Sequence, residues 1–93
     1  MADVTDETGG TVCVVVRYFA AARSAAGCDS EQLTVRPGAT VGELVGELGG
    51  RSQELARVLI RSSLLCDSVA VRDRTQPLRA GNTIEVLPPF AGG

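Results

Sequence analysis

The sequence predicts an α+β domain in which a mixed sheet of four to five strands is crossed by one main helix. Segments with the two-residue alternation of strands lie before and after a segment with helical spacing of apolar residues. The chain has 93 residues, enough for one domain with one modest core. Aromatic residues make up only 3% of it, so Val, Leu, Ile and Ala must fill that core.

The first strand is predicted over residues 11–19, where Val12, Val14, Val16 and Tyr18 fall on one face. The segment is almost continuously apolar, which predicts a strand covered at least in part on both faces. The Ala-rich residues 20–27 predict a short helical turn closed by Gly27. A second strand is expected over residues 31–35, ending before a Pro-Gly pair.

The main helix has a clear start, because Thr40 and Glu43 have the spacing of a capping box. Its apolar stripe follows at helical spacing, formed by Val41, Leu44, Val45 and Leu48. A glycine pair then ends it, and residues 52–62 form a second helical stretch. Strands return at residues 64–66, 69–71 and 83–87. This order of elements is that of the β-grasp, the ubiquitin-like fold.

Composition excludes several classes of function. The net charge is −2 with no basic run, so we expect no nucleic-acid partner. All nine basic residues are Arg; Lys and His are both absent. The chain therefore lacks the commonest general base, the commonest metal ligand and any lysine nucleophile. We expect no metal site and no cofactor bound by this chain.

The three cysteines, Cys13, Cys28 and Cys66, are too few and too widely spaced for a zinc site or a disulfide framework. They are predicted to be buried small hydrophobes in a reducing cytoplasm. The longest apolar run, residues 12–16, is too short for a membrane span or a signal segment. The expected location is therefore the cytoplasm, with no membrane partner.

The two ends of the chain differ in character. Residues 1–10 are polar and acidic and predict a disordered leader before a domain spanning residues 11–89. Residues 90–93 predict a flexible tail that leaves the domain stiffly through Pro88 and Pro89. Phe90 offers one apolar contact, and Ala91, Gly92 and Gly93 are small enough to enter a narrow channel in another protein.

The predicted reacting group is the carboxylate of Gly93. A carboxylate is a poor electrophile until it is activated, most simply as an acyl-adenylate made from ATP. A sulfur nucleophile would then give a thiocarboxylate, whereas a lysine amine would give a protein conjugate. Since the chain has no activating groups of its own, the sequence predicts a carrier or cosubstrate.

Several segments resemble the family of molybdopterin synthase small subunits. The members of this family are sulfur carriers in molybdenum-cofactor synthesis, and they are related to the thiamine sulfur carriers. The similar segments are VVVRYFA at residues 14–20, ATVGEL at 39–44, AGN at 80–82 and PPFAGG at 88–93. Residues 72–76 depart from the family, which often has a tight Asn-containing turn there. Phe90 stands where a β-branched residue is common.

The resemblance implies a cycle in which other proteins do the chemistry. An E1-like adenylating enzyme would activate Gly93 with ATP, and a sulfurtransferase would supply the sulfur. The tail would then enter the large subunit of a heterotetrameric molybdopterin synthase and donate sulfur to cyclic pyranopterin monophosphate. In this scheme Gly92 gives clearance, while Pro88, Pro89, Phe90 and Ala91 position the tail against the partner.

Three other interpretations stay open at this stage. The chain could carry sulfur for thiamine or cysteine synthesis, act as a ubiquitin-like protein modifier, or be a β-grasp interaction module without tail chemistry. The partner that co-purifies would separate the sulfur pathways. A ladder of adducts would indicate a modifier, and indifference to loss of Gly92 and Gly93 would indicate a binding module.

Overall fold

The computed structural model describes residues 10–89, which form a five-stranded mixed sheet and three helices. The strand order is β2-β1-β5-β3-β4, with β1 parallel to β5 and the other neighbours antiparallel. In chain order the elements are β1 (Val12–Tyr18), α1 (Ala21–Ala26), β2 (Ser30–Val35), α2 (Val41–Gly49), α3 (Gln53–Arg61), β3 (Ser63–Cys66), β4 (Val69–Ala70) and β5 (Thr83–Leu87). The predicted β-grasp arrangement is confirmed, although α2 and α3 are equally long and share the role given to one helix.

Local signals in the sequence set the helix ends. The Thr40 hydroxyl accepts a hydrogen bond from the Glu43 backbone N–H at 3.1 Å, and the Glu43 carboxylate accepts one from the Thr40 N–H at 3.0 Å. This confirms the predicted capping box. Gly27 ends α1 in the left-handed conformation, with φ of 82°. Ser52 caps α3 through its hydroxyl, which accepts from the Leu55 N–H at 3.0 Å.

The core lies between the sheet and the helices. Alternate residues of the two parallel strands point into it, and helical leucines meet them from the other side. The largest fully buried side chains are Val14, Val16, Val41, Leu44, Leu48, Leu55, Leu59, Ile84 and Val86. Val41, Leu44 and Leu48 of the predicted stripe are buried, and Val45 is half-buried at its margin.

The other face of β1 is more open than the sequence suggested. Cys13 and Arg17 are exposed on it and Val15 is half-buried. The prediction that Cys13 is a buried small hydrophobe is therefore wrong, because strand alternation turns it away from the core. Cys28 and Cys66 are half-buried. Burial, and to a lesser degree the charge of Asp67, raises the pKa of the Cys66 thiol, which favours its protonated form.

The loop before β5 is bound to the start of α2. The Val41 N–H donates to the Gln76 carbonyl at 3.1 Å, and the Gly42 N–H donates to the Arg74 carbonyl at 2.8 Å. These carbonyls satisfy first-turn N–H groups that have no partner inside the helix. Residues 72–76, the segment that departs from the family pattern, therefore cap the N-terminal end of α2.

None of the helices within residues 10–89 is both long enough and apolar enough to span a membrane.

Candidate functional site: the exit of the last strand

The candidate site begins where β5 ends, because this strand leads to the tail that carries the predicted chemistry. β5 is an interior strand, paired in parallel with β1 and antiparallel with β3. Its Ile84 and Val86 are fully buried against the helices. Since the strand is held on both edges and on its core face, the tail leaves from a fixed point.

Backbone contacts continue to the last residues of β5. The Phe19 N–H donates to the Val86 carbonyl at 3.2 Å, and Leu87 pairs with Ser63 of β3. Beyond them Pro88 is half-buried and Pro89 is exposed, and neither belongs to a strand. The prediction that the chain leaves the sheet at the two prolines is confirmed.

The remaining predicted site residues, Phe90, Ala91, Gly92 and Gly93, lie outside the described residues. Their roles in contacting a partner and carrying sulfur stay predictions, as do those of Pro88 and Pro89. The predicted leader falls outside as well, except for Gly10, which is half-buried.

A charged side chain lies beside β5 on the open face of the sheet. The Arg17 guanidinium is 3.3 Å from the Glu85 carboxylate and 5.2 Å from the centroid of the Phe19 ring. The Arg17 side chain is half exposed, so the ion pair adds little to stability. The sequence could not show this pair, since only the parallel register places Arg17 opposite Glu85.

A buried phenol anchors the end of β1 near this exit. The Tyr18 hydroxyl donates to the Glu31 carboxylate at 2.6 Å, and Arg51 donates to the same oxygen at 2.7 Å. Burial, followed by the hydrogen bond to Glu31 and its charge, raises the pKa of Tyr18, so the phenol stays protonated. Burial also acts to raise the pKa of Glu31, but the hydrogen bonds from Tyr18 and Arg51 outweigh it and lower that pKa overall.

Within residues 10–89, no three side chains among Cys, Asp and Glu come together in a way that could hold a metal ion. β5 fixes the point at which Pro88 leaves the sheet, and the Arg17–Glu85 ion pair lies beside it.

The β-grasp architecture defines a ubiquitin-like protein. The model of the ThiS family matches residues 16–93. The chain therefore belongs to the ThiS family of ubiquitin-like sulfur carriers, which confirms the superfamily that the sequence resembled. No curated protein sequence matches the chain significantly.

Solved structures from archaea have the same fold. The HVO 2177 protein of Haloferax volcanii is 31% identical, with a TM-score of 0.78 over 90% of this chain and 89% of its own. A Pyrococcus furiosus protein described as molybdopterin converting factor subunit 1 is 26% identical, with a TM-score of 0.77. The match covers 85% of this chain and 99% of that protein. SAMP1 of H. volcanii, a small archaeal modifier protein, is 25% identical, with a TM-score of 0.76. The match covers 87% of this chain and 99% of SAMP1.

Proposed function

We propose that this chain is the sulfur-carrying small subunit of a molybdopterin synthase in the cytoplasm, with Gly93 as the residue that carries the sulfur. The observation that carries the proposal is the continuity of β5 with the PPFAGG segment, since a strand held on both edges leads directly to Pro88. The likeness to the P. furiosus subunit 1 supports a role in the molybdopterin pathway.

In the proposed cycle, partner enzymes supply every catalytic group. An E1-like enzyme transfers AMP from ATP to the Gly93 carboxylate, releasing pyrophosphate. The terminal sulfur of a sulfurtransferase persulfide displaces AMP and gives an acyl disulfide. A thiol then cleaves that disulfide and leaves the thiocarboxylate on Gly93. This chain contributes no acid, base or metal to these steps, which agrees with its lack of His and Lys.

The sulfur is consumed inside the large subunit of the synthase. The tail enters that subunit, with Phe90 and Ala91 in its channel and Gly92 giving backbone clearance, and the thiocarboxylate donates sulfur to cyclic pyranopterin monophosphate. The sulfur first joins Gly93 to the substrate as a thioester. Water then breaks the bond between the acyl carbon and the sulfur, which leaves the sulfur on the substrate and returns the Gly93 carboxylate. Pro88 and Pro89 aim the tail, because proline rings keep this short segment extended.

The intact mass of the chain after incubation with ATP, an E1-like enzyme and a sulfur donor tests the carrier chemistry. We expect a gain that matches the replacement of one oxygen by sulfur. The variant lacking Gly93 is the matched control. It keeps all the described residues of the core, and it should show no gain because the reacting carboxylate has been removed from its place. Absence of a gain with several competent activating enzymes would refute the carrier function.

The pathway needs a second assay. The thiocarboxylated chain is mixed with a molybdopterin synthase large subunit and cyclic pyranopterin monophosphate, and molybdopterin is measured. Product formation that depends on the thiocarboxylate supports the proposal. Thiocarboxylate formation without transfer in this assay, but with transfer to thiamine or cysteine synthesis enzymes, would reassign the pathway.

A ubiquitin-like modifier is the second candidate, favoured by the similarity to SAMP1. Both functions begin with adenylation of Gly93, so the acceptor separates them. Because the chain has no lysine, it cannot extend itself through lysine isopeptide bonds. A modifier function therefore predicts adducts with one copy at each acceptor lysine, detected as an Ala-Gly-Gly remnant on lysine after chymotryptic cleavage behind Phe90. A pure sulfur carrier predicts none.

A further inference from the structure

Within residues 10–89, β2 is an edge of the sheet that no other strand covers, and a groove lies beside it. β2 has six residues and stands at one end of the strand order, whereas the strand at the other end, β4, has two. The side chains of Ser30, Gln32 and Thr34 are exposed, uncharged and compatible with strand pairing. None of the usual devices that protect an edge, such as proline, lysine or an inward charge, occurs at these three positions.

The backbone of this edge has unused hydrogen-bonding groups. The Tyr18 N–H donates to the Asp29 carbonyl at 2.8 Å. In the antiparallel pair of β1 and β2, this bond determines which residues of β2 turn their backbone groups towards β1. Every second residue from Asp29 onwards therefore bonds to β1, and the N–H and C=O groups of Gln32 and Thr34 point away from the sheet. An added strand would satisfy them.

A groove of about 410 Å³ runs between this edge and α2. Its floor is formed by the buried side chains of Val35, Ala39 and Leu44. Thr34 and three charged residues, Arg36, Glu43 and Glu47, complete the lining. A side chain with an apolar stem and a polar head fits such a lining.

The charges of the groove favour a cation. The Arg36 guanidinium donates to both carboxylate oxygens of Glu43, at 2.7 and 2.8 Å, so these two charges neutralise each other. Glu47 makes no salt bridge with another described residue. It also lies in the last turn of α2, where the helix dipole disfavours a carboxylate and no basic residue compensates. A cation from another molecule would pair with the Glu47 carboxylate and offset the unfavourable effect of the helix dipole.

We propose that β2 and the groove beside it bind an extended, basic segment of another protein, which adds to the sheet as a sixth strand. Its backbone pairs with Gln32 and Thr34. An Arg or Lys side chain lies over Val35 and Ala39 and reaches Glu47. This mode of recognition combines main-chain hydrogen bonds with one specific side-chain pocket.

Segments of this chain itself fit the groove less well. β1 begins with Val12, which pairs with Val35, but residues 1–9 of the sequence carry three acidic side chains and no basic one. A second copy placed edge to edge would offer cations that are already paired, since Arg36 binds Glu43 and Arg51 binds Glu31. The proposal goes beyond the sulfur-carrier function and does not rest on it.

The test uses the full chain and a short capped peptide that alternates valine with arginine. Amide signals of Gln32, Thr34 and Glu47 should shift on titration, and the Gln32 and Thr34 amides should gain protection from hydrogen exchange. The same peptide N-methylated at every backbone amide is the matched ligand, and it should not bind because neither of its edges can then donate hydrogen bonds to β2. Deleting Gly93 should change nothing, which separates this result from the fate of the tail.

Two substitutions test the charge. Glu47→Gln should weaken binding of the basic peptide about two- to fivefold, the size of one exposed ion pair. Glu54→Gln on α3 makes the same charge change away from the groove and should leave binding unaltered. Glu47→Arg should reverse the preference, so that a valine–glutamate peptide binds better than the basic one. Both Glu47 variants suit the end of a helix and should fold.

Three results would overturn the proposal. The first is equal binding of the N-methylated peptide, and the second is an unchanged preference in Glu47→Arg. The third is a set of β2 shifts that depend on protein concentration without peptide, which would mean that the edge pairs with a second copy.

Discussion

The hydroxyl of Tyr18 donates a 2.6 Å hydrogen bond to Glu31, and Arg51 binds the same carboxylate oxygen from the loop after α2. This network joins β1, β2 and the connection between α2 and α3. It holds the end of β1, whose next residue, Phe19, bonds to β5 just before the tail. The position of the exit therefore depends on a polar contact at the margin of the core.

Removing the phenol oxygen should destabilise the fold. Tyr18→Phe keeps the ring but loses a hydrogen bond to a charged acceptor, and we expect a loss of about 2 kcal/mol in the free energy of unfolding. Chemical denaturation measures it, with Gln32→Ala on the exposed face of β2 as a control that should change much less. An unchanged denaturation midpoint in Tyr18→Phe would show that the network does not contribute to stability.

Acid should weaken the fold through Glu31. Its pKa lies below the ordinary value of 4.5 in the folded chain, so the folded state holds the ionised form more strongly than the unfolded state does. The resulting stability is complete above the unfolded pKa and is lost as the pH falls through the lower folded pKa. Unfolding free energies of the wild type and Glu31→Gln, measured from neutral pH down into this range, should therefore converge. A constant difference at every pH would contradict this cause.

Two glycines of α2 should respond in opposite directions to alanine. A Cβ at Gly42 would lie 3.3 Å from the Arg74 carbonyl oxygen, the acceptor of the Gly42 N–H. Gly42→Ala must displace the loop of residues 72–76, and we expect a loss of about 1 kcal/mol. At Gly46 nothing lies within 4 Å, so Gly46→Ala should stabilise by roughly 0.5–1 kcal/mol through helix propensity. Thermal unfolding shows whether each variant is more or less stable than the wild type. A change in the same direction for both variants would contradict the close contact between Gly42 and the Arg74 carbonyl.

The turn between β1 and α1 stores strain at Ala20. This residue has φ of 52° and ψ of −125°, a combination that suits glycine and disfavours a side chain. Ala20→Gly should stabilise the chain by about 1 kcal/mol. Ala21→Gly, one residue later inside the helix, should destabilise it by up to about 1 kcal/mol. Denaturation midpoints that fall for both variants would show that Ala20 is not strained.

Features governed by nearby residues could be predicted from the sequence. The capping box at Thr40, the glycine stop at Gly27 and the alternation in β1 each depend on contacts within a few positions, and each is present. The two prolines after β5 likewise end the sheet where expected, because proline has no N–H for pairing.

Features that depend on pairs far apart in the chain could not be predicted. Cys13 lies in an apolar run, yet it is exposed because the helices cover only the other face of β1. Ala20 looks like an ordinary helix former, yet the return of the chain from β1 into α1 forces it to positive φ. In neither case does the neighbouring sequence carry a signal, since tertiary packing imposes the conformation.

By itself the sequence determined the ubiquitin-like order of elements, the absence of its own lysine or histidine chemistry, and the small-residue tail after two prolines. These depend on composition, periodicity and local geometry. Only the tertiary structure decided that Arg17 meets Glu85, that Tyr18, Glu31 and Arg51 form one network, and that β2 is left as an open edge beside Glu47. Those contacts join residues that are distant in sequence, and strand register and helix placement bring them together.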